Sequence, residues 1–315
     1  MTATAAGTQR PLIGLVMALA GALIITPDTL LIRLSGLEGW GLSFWRGILI
    51  GFSLIIFWIA LERDRVITKL PLLLGGPALV IIIANFFNAI AFNFATMETS
   101  ITVVVTALAT APLIAAALGF FILGERTGLK TWVAVGISMI GVMIVILNGD
   151  GALDAPPGNV WLGGGLGFLA AFGIAVVFVT TRKHPDVPVL PACAIGTFIS
   201  GVIGFVGAPA GSIMAGDMTM ILLMGLLVMP VSWALLTLAP RHTSPTNVSL
   251  FMLLEMVLGP FWVWLGTGER PSPAMIGGAA LVLVTLALYF LAAANKARRT
   301  SDDDPDPASW REDGP

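Results

Sequence analysis

Residues 111 to 146 read APLIAAALGFFILGERTGLKTWVAVGISMIGVMIVI, and this stretch decides the fold. It consists of two apolar runs separated by a short charged break at Gly124-Glu125-Arg126. The pattern returns in residues 255 to 289, EMVLGPFWVWLGTGERPSPAMIGGAALVLVTLALY, where the break is Gly268-Glu269-Arg270. The same tripeptide between two apolar runs, displaced by a little under half the chain, indicates an internal repeat.

Composition places the chain in a membrane. Hydrophobic residues make up 57% of the 315 residues, charged residues 11%, and the mean hydropathy is +0.95. A soluble domain of this length could not bury so much apolar surface, so we expect an all-α integral membrane protein. The single cysteine, Cys193, excludes an internal disulfide, and both histidines fall in predicted loops. We therefore expect no metal and no cofactor, and the absence of a basic tract argues against nucleic acid as a partner.

Ten apolar segments are long enough to cross a hydrocarbon core of about 30 Å as helices. The first is too long for the apolar core of a signal peptide and is followed by others, so we interpret it as a transmembrane helix. We number them segments 1 to 10: residues 11–33, 43–61, 72–94, 101–123, 129–147, 160–181, 190–210, 218–238, 246–266 and 272–294.

The positive charges predict the orientation of these segments. Of the 16 lysines and arginines, all but Arg33, Arg46 and Arg270 fall at the termini or in every second loop, on one side of the membrane. Cytoplasmic loops carry this excess, so both termini are predicted to be cytoplasmic. We expect a multi-pass protein of the cell (inner) membrane.

The repeat divides the segments into two halves of five. Because five is odd, the second half must enter the membrane from the opposite side, which predicts inverted repeats around a central cavity. The predicted organisation is a cytoplasmic N-terminus (1–10), a first half (11–147), a linker (148–159), a second half (160–294) and a disordered cytoplasmic tail (295–315).

The two breaks, in APLIAAALGFFILGERTGLKTW and LEMVLGPFWVWLGTGERPS, resemble the EamA-like branch of the drug/metabolite transporter superfamily. The resemblance covers segments 1 to 10. It implies that segments 5 and 10 lie at the periphery while the others surround a cavity that opens alternately to each side. Family members mostly move small metabolites, often outward, and the resemblance names no substrate.

Glu255 is the sharpest candidate for a site residue. It lies nine residues into segment 9, about 14 Å deep, near the middle of the bilayer. A carboxylate at that depth is costly unless it is paired, protonated or facing water. A substrate or proton site and a structural acid that bonds to a neighbouring helix are equally good interpretations.

Asp28 and Arg46 form a second candidate pair. Asp28 follows Pro27, whose missing N–H loosens the preceding turn and leaves carbonyls to line a cavity. Arg46 lies at a similar depth in segment 2, so we expect an ion pair that joins segments 1 and 2. The alternative is that Arg46 or Arg33 binds an anionic group of a substrate.

Three further side chains are candidates for the cavity wall. Asn85 and Asn88 share one face of segment 3, where amides can bind a polar solute but more often join helices. Trp233 follows Pro230 in the middle of segment 8, away from the interfaces that most tryptophans prefer. It can stack on a substrate or simply pack.

Prolines predict hinges. Pro112 and Pro260 are expected to interrupt segments 4 and 9, the corresponding segments of the two halves, and Pro27 and Pro230 are further hinge or structural positions. Proline is also common in membrane helices for purely structural reasons, and that interpretation stays open.

Glu125 and Glu269 are interpreted as structural residues at the two breaks. We expect them to cap a helix or to pair with neighbouring cations near the headgroups, namely Arg126, Lys130 or Arg270. A role as gates is the alternative.

Together these features predict a secondary transporter that exports or exchanges a small polar metabolite by alternating access. Its expected partners are that substrate and the lipid bilayer, with protons as a candidate coupling ion. A single chain contains both halves and suffices, and an oligomer stays open. The alternatives are a flippase for a lipid-linked substrate and a membrane enzyme acting on one, although the short interface loops lack a catalytic cluster.

Overall fold

A computed structural model describes residues 11–37, 39–99, 104, 107–147, 159–209, 211–268 and 272–302, and this part of the chain contains helices and no strand. Eight of its helices are long and apolar enough to cross a membrane. They form segments 1 to 3 and 6 to 10. Their bounds are Pro11–Ile25 with Asp28–Ser35, Gly39–Glu62, Gly76–Glu98, Val160–Lys183, Val189–Gly207, Met218–Leu238 (with an internal π-helix at Leu223–Val228), Pro245–Thr267 and Pro273–Asp302.

Segments 4 and 5 form shorter helices within the described residues. Segment 4 contains Ala111–Leu118 followed by a π-helical turn at Gly119–Leu123, and most of its predicted first third lies outside the described residues. Segment 5 forms Leu129–Leu147. The all-helical membrane architecture is confirmed, whereas the count of ten spans stays a prediction.

The ends of two elements differ from the sequence prediction. The last helix continues to Asp302, so the predicted disordered tail does not begin at residue 295. A membrane helix is already nucleated, and alanine, lysine and arginine propagate it into water at little cost. The loop expected between segments 2 and 3, residues 62–71, forms short helical turns at Arg63–Arg65 and Val66–Lys69. A third turn, Leu70–Leu74, extends into the predicted start of segment 3. The linker lies outside the described residues up to residue 158, and Asn159 caps the next helix.

Segment 1 is broken at Pro27, as the sequence predicts. Proline cannot donate to the carbonyl of Leu23, four residues earlier. That carbonyl instead accepts a hydrogen bond of 2.8 Å from the hydroxyl of Thr26 and a longer one from its backbone N–H. The prediction that this carbonyl is left free to line a cavity is therefore wrong, because Thr26 satisfies it.

The other prolines fall into two groups. Pro112 lies in the first turn of a helix, where a missing N–H costs nothing, whereas Pro230 directly follows the π-helical turn Leu223–Val228 inside the helix of segment 8. By contrast, the helix of segment 9 runs through position 260 without ending, so the predicted interruption there is wrong. Hydrogen bonds on both sides of an isolated proline hold a membrane helix together where no water competes for them.

The helices pack in a pattern that pairs the two halves. Segment 2 packs against segment 7, segment 4 against segment 9, and segment 5 against segment 10. Segment 3 packs against segment 6, and segment 1 correspondingly against segment 8. These five pairings show a symmetry between the halves. If segments 1 to 5 are exchanged with segments 6 to 10 in order, the pairings 2–7, 4–9 and 5–10 are unchanged, and the pairing 3–6 becomes the pairing 1–8.

The outer surface is apolar. Leu, Ile and Phe side chains are exposed along most helices, with Phe121 at 80% and Leu288 at 64% exposure. Contiguous apolar surface of this extent is costly in water and is stable in lipid.

Candidate functional site

A cavity of about 120 Å³ lies at the centre of the helices. Its described lining residues come from segments 1 to 4 and 6 to 9, and none comes from segment 5 or segment 10. By volume it is comparable to engineered cavities of roughly 150 Å³ that accept a benzene molecule. The wall is mostly apolar, with a few polar groups, as in small-molecule sites generally.

The structure brings together all six predicted site residues. The cavity is lined by Asp28, Arg46, Asn85, Asn88, Trp233 and Glu255, which lie on five different segments. Their contacts within the protein show which of their charges and hydrogen-bonding atoms are already used and which are available to a bound molecule.

Asp28 and Arg46 form the predicted ion pair. One Arg46 nitrogen, Nη1, lies 2.8 and 3.1 Å from the two carboxylate oxygens of Asp28, and both side chains are largely buried. The guanidinium also contacts the sulfur atoms of Met224 and Met229 at 3.4 and 3.6 Å. Asp28 begins the second helix of segment 1, where the helix dipole stabilises a negative charge. The positive charge of Arg46 is therefore already matched within the protein.

Glu255 differs from Asp28 in having no such partner. It lines the cavity and is close enough to Asp28 and Arg46 to interact electrostatically with both. Among the described residues, however, no ion pair or hydrogen bond holds its carboxylate. The interpretation of Glu255 as a structural acid bonded to a neighbouring helix finds no support in these contacts.

The two asparagines join helices. Asn85 Nδ2 donates to the carbonyl of Cys193 at 2.9 Å, and Asn88 Nδ2 donates to the carbonyl of Ala170 at 3.0 Å. These bonds connect segment 3 to segments 7 and 6. Their amide oxygens remain available as acceptors, and Asn88 keeps one N–H as a donor.

Trp233 is 7% exposed, lines the cavity and lies against Cys193. The sequence prediction missed other lining residues, including Ser43, Ser200 and Met256. A helical period could have found Ser43, because it precedes Arg46 by three residues and so shares its face. The Ser200 hydroxyl is buried and has no hydrogen-bond partner among the described residues.

A second polar cluster lies at the face predicted to be cytoplasmic. Glu125 Oε1 lies 2.9 Å from Arg182 Nε, so the break after segment 4 is tied to the end of segment 6. The prediction that Glu125 pairs with Arg126 or Lys130 is wrong, because the fold brings a cation of the other half to it. Arg182 also donates to the carbonyl of Arg241 at 3.3 Å, and Arg241 donates to the carbonyl of Val187 at 2.7 Å.

His242 lies near the two arginines of this cluster, and its imidazole changes its protonation state with pH. Partial burial, together with the nearby positive charges of Arg241 and Arg182, lowers the pKa of His242 below its usual value of 6.5. The neutral imidazole is therefore the form that the folded protein favours.

The face opposite this cluster is held by tryptophans. Trp45 Nε1 donates to the carbonyl of Ile213 at 2.8 Å, and Trp262 Nε1 donates to the hydroxyl of Thr26 at 2.8 Å. The second bond connects segment 9 to the break in segment 1. Glu269, the counterpart of Glu125 in the second repeat, lies outside the described residues.

Comparison with known proteins gives one family match and one structural neighbour of interest. The model of the EamA-like transporter family matches residues 12–147. A solved structure described only as the crystal structure of a protein aligns over 89% of this chain and 96% of its own, with a TM-score of 0.73 and 16% identity. At that identity the similarity concerns the fold alone. No curated protein matches the sequence.

Proposed function

Because residues 12–147 match the EamA-like transporter family of the drug/metabolite transporter superfamily, we propose that this chain exports or exchanges a small polar metabolite by alternating access. The family match supports a membrane transporter. The nature of the solute and the mechanism are the proposal.

The observation that carries the proposal is the composition of the cavity wall. Segments 1 to 4 of the first half and 6 to 9 of the second contribute to it, and polar side chains of both halves meet there. A cavity between two repeats can open to either side when the repeats rock against each other. Its volume and few polar groups suit a small polar solute.

The packing of the helices supports two inverted halves of five. The five pairings of segments described above are preserved when each segment is exchanged with the one five places along the chain. A pseudo-twofold axis in the membrane plane would produce this pattern. With ten spans, both termini lie in the cytoplasm of a cell whose inner membrane holds the protein, and one chain is sufficient for transport.

The Glu125–Arg182 ion pair then acts as a latch on the cytoplasmic side. It joins the end of segment 4 to the end of segment 6, across the boundary between the halves. Opening the cavity to the cytoplasm separates these segments and breaks the pair. Glu255, as the unpaired acid in the cavity, is the candidate carrier of a coupled proton.

Two buried serines provide a matched test of alternating access. Ser200 lines the cavity, whereas Ser138 lies in segment 5 and does not, and both hydroxyls lack a partner among the described residues. Replacing either by cysteine therefore breaks no hydrogen bond. Cys193 is first changed to alanine, which keeps the backbone carbonyl that Asn85 binds.

The measurement is labelling of Ser200→Cys and Ser138→Cys by a membrane-impermeant maleimide in sealed vesicles of each orientation. Alternating access predicts that the cysteine at 200 reacts from both sides of the membrane and the one at 138 from neither. Reaction at 200 from one side only would instead indicate a pocket with a single entrance, as in an enzyme or receptor, and the proposal would be wrong.

A further inference from the structure

We propose that the transported solute is a small organic cation and that Glu255 binds its positively charged group. This inference rests on the proposed function and adds the sign of the charge to it. It follows from which polar groups of the cavity are already satisfied by the protein and which are not.

The described part of the cavity wall contains one acid whose charge the protein does not match. Among the described lining residues, the ionisable ones are Asp28, Arg46 and Glu255. Asp28 and Arg46 neutralise each other at 2.8 Å, and Arg46 is further enclosed by two methionine sulfurs. The carboxylate of Glu255 is thus the charge that the protein leaves unmatched. In the low dielectric of the membrane interior an opposite charge on the solute relieves this cost.

The neutral polar groups of the cavity wall are partly used in bonds within the protein. Asn85 and Asn88 each use an amide N–H to join helices, and their amide oxygens remain as acceptors in the cavity wall. The hydroxyls of Thr197 and Ser249 donate to carbonyls of their own helices. The cavity therefore offers the carboxylate of Glu255 and the two amide oxygens as acceptors. An ammonium or amidinium group supplies several donors and no acceptor, and so complements it.

Ser200 is independent support for a ligand in this place. Its hydroxyl lies in the cavity wall, is 1% exposed and has no hydrogen-bond partner among the described residues. A buried hydroxyl without a partner is uncommon in folded proteins. A bound solute gives this hydroxyl a hydrogen-bonding partner.

An anionic or zwitterionic solute is disfavoured by the same contacts. Its carboxylate would lie beside the carboxylates of Asp28 and Glu255, and it would compete with Asp28 for the single positive charge of Arg46. Placing a further negative charge beside two buried carboxylates that share one cation is unfavourable in this low dielectric. The aromatic face of Trp233 offers an additional favourable surface to a cation and none to an anion.

The test uses three probes of nearly equal size and different charge: benzylammonium, benzyl alcohol and benzoate. The melting temperature of the purified full-length protein in detergent is measured with each at pH 7. Benzylammonium at saturating concentration is expected to raise Tm by roughly 3 °C or more, and the other two by much less. Equal or larger shifts with benzoate or benzyl alcohol, or no shift with benzylammonium, would overturn the proposal.

Variants then locate the binding site. Glu255→Gln is expected to weaken benzylammonium binding roughly thirtyfold or more, because a charged partner is removed. Glu62→Gln is the matched control, since Glu62 pairs with Lys69 outside the cavity and should leave the affinity unchanged. Unchanged affinity in Glu255→Gln would exclude Glu255 as the binding group.

A labelling experiment keeps the inference testable if Glu255→Gln fails to fold. Benzylammonium should protect Ser200→Cys from maleimide, and benzoate should not. If labelling occurs from both sides of the membrane but benzoate protects equally, transport stands and the cation assignment is wrong. If benzylammonium protects but labelling is one-sided, the cation site stands and alternating access is wrong.

Discussion

Gly47 provides the sharpest test of the packing around the cavity. A Cβ atom built at this position would lie 2.7 Å from the carbonyl oxygen of Thr197 and closer still to the backbone of Gly201. Carbon atoms in contact are ordinarily about 3.5 to 4 Å apart. Because the opposing atoms belong to the backbone of segment 7, no side-chain rotation can relieve the clash, and the two helices must separate.

The magnitude follows from two opposing terms. Overpacking a tight interface costs about 1 to 3 kcal/mol, and the rigid backbone here favours the upper end. Alanine is a better helix former than glycine by about 1 kcal/mol, which offsets part of this cost. We therefore expect Gly47→Ala to lower the free energy of unfolding by about 2 kcal/mol. The expected fall in Tm is roughly 4 to 8 °C.

The assay is thermal unfolding of the purified protein in detergent, with Gly136→Ala as the matched control. Gly136 also lies within a helix, but no atom lies within 4 Å of its built Cβ. This control should therefore be as stable as the unmodified protein or slightly more stable. If Gly47→Ala and Gly136→Ala were equally stable, segments 2 and 7 would not be in contact as described, and the position of Arg46 in the cavity would lose its basis.

Three further predictions concern charged groups. Arg46→Gln should lower the free energy of unfolding by about 3 kcal/mol, because it leaves Asp28 buried without a partner. In thermal unfolding, the double variant with Asp28→Asn should recover part of this stability. If the losses of the two single variants simply added, the coupling between these residues would be contradicted. Glu125→Gln should weaken the latch to Arg182, a partly exposed pair worth about 0.5 to 1 kcal/mol. The cavity cysteine should then react roughly two to five times faster from the cytoplasmic side, and an unchanged rate would argue against a latch. The lowered pKa of His242 means that its contribution to stability is present above pH 6.5 and is lost as the pH falls towards the folded-state pKa. Towards acidic pH, Tm should therefore fall less steeply in His242→Gln than in the unmodified protein. Identical profiles of Tm against pH would show that His242 does not cause the loss of stability.

Local signals in the sequence predicted the elements well because each depends on neighbouring residues only. Apolar length gave the membrane helices, and Pro27 gave the break in segment 1. The pairing of Asp28 with Arg46 was also predictable, since both residues lie at a similar depth in adjacent segments. The partner of Glu125 was missed because it comes from far along the chain: Glu125 pairs with Arg182 and not with its neighbours. The carbonyl freed by Pro27 was missed for a local reason, because the hydroxyl of the adjacent Thr26 bonds to it.

The sequence by itself determined that this chain is a helical membrane protein with polar side chains placed in mid-membrane, because hydropathy and helical spacing are properties of single segments. It left open the sign of the charge that the cavity accepts. The proposal of a cationic solute rests on the tertiary structure, in which Arg46 is matched by Asp28 while the carboxylate of Glu255 has no partner among the described residues. Whether a buried charge is available to a solute depends on what neighbouring helices place against it, and that arrangement exists only once the helices have packed.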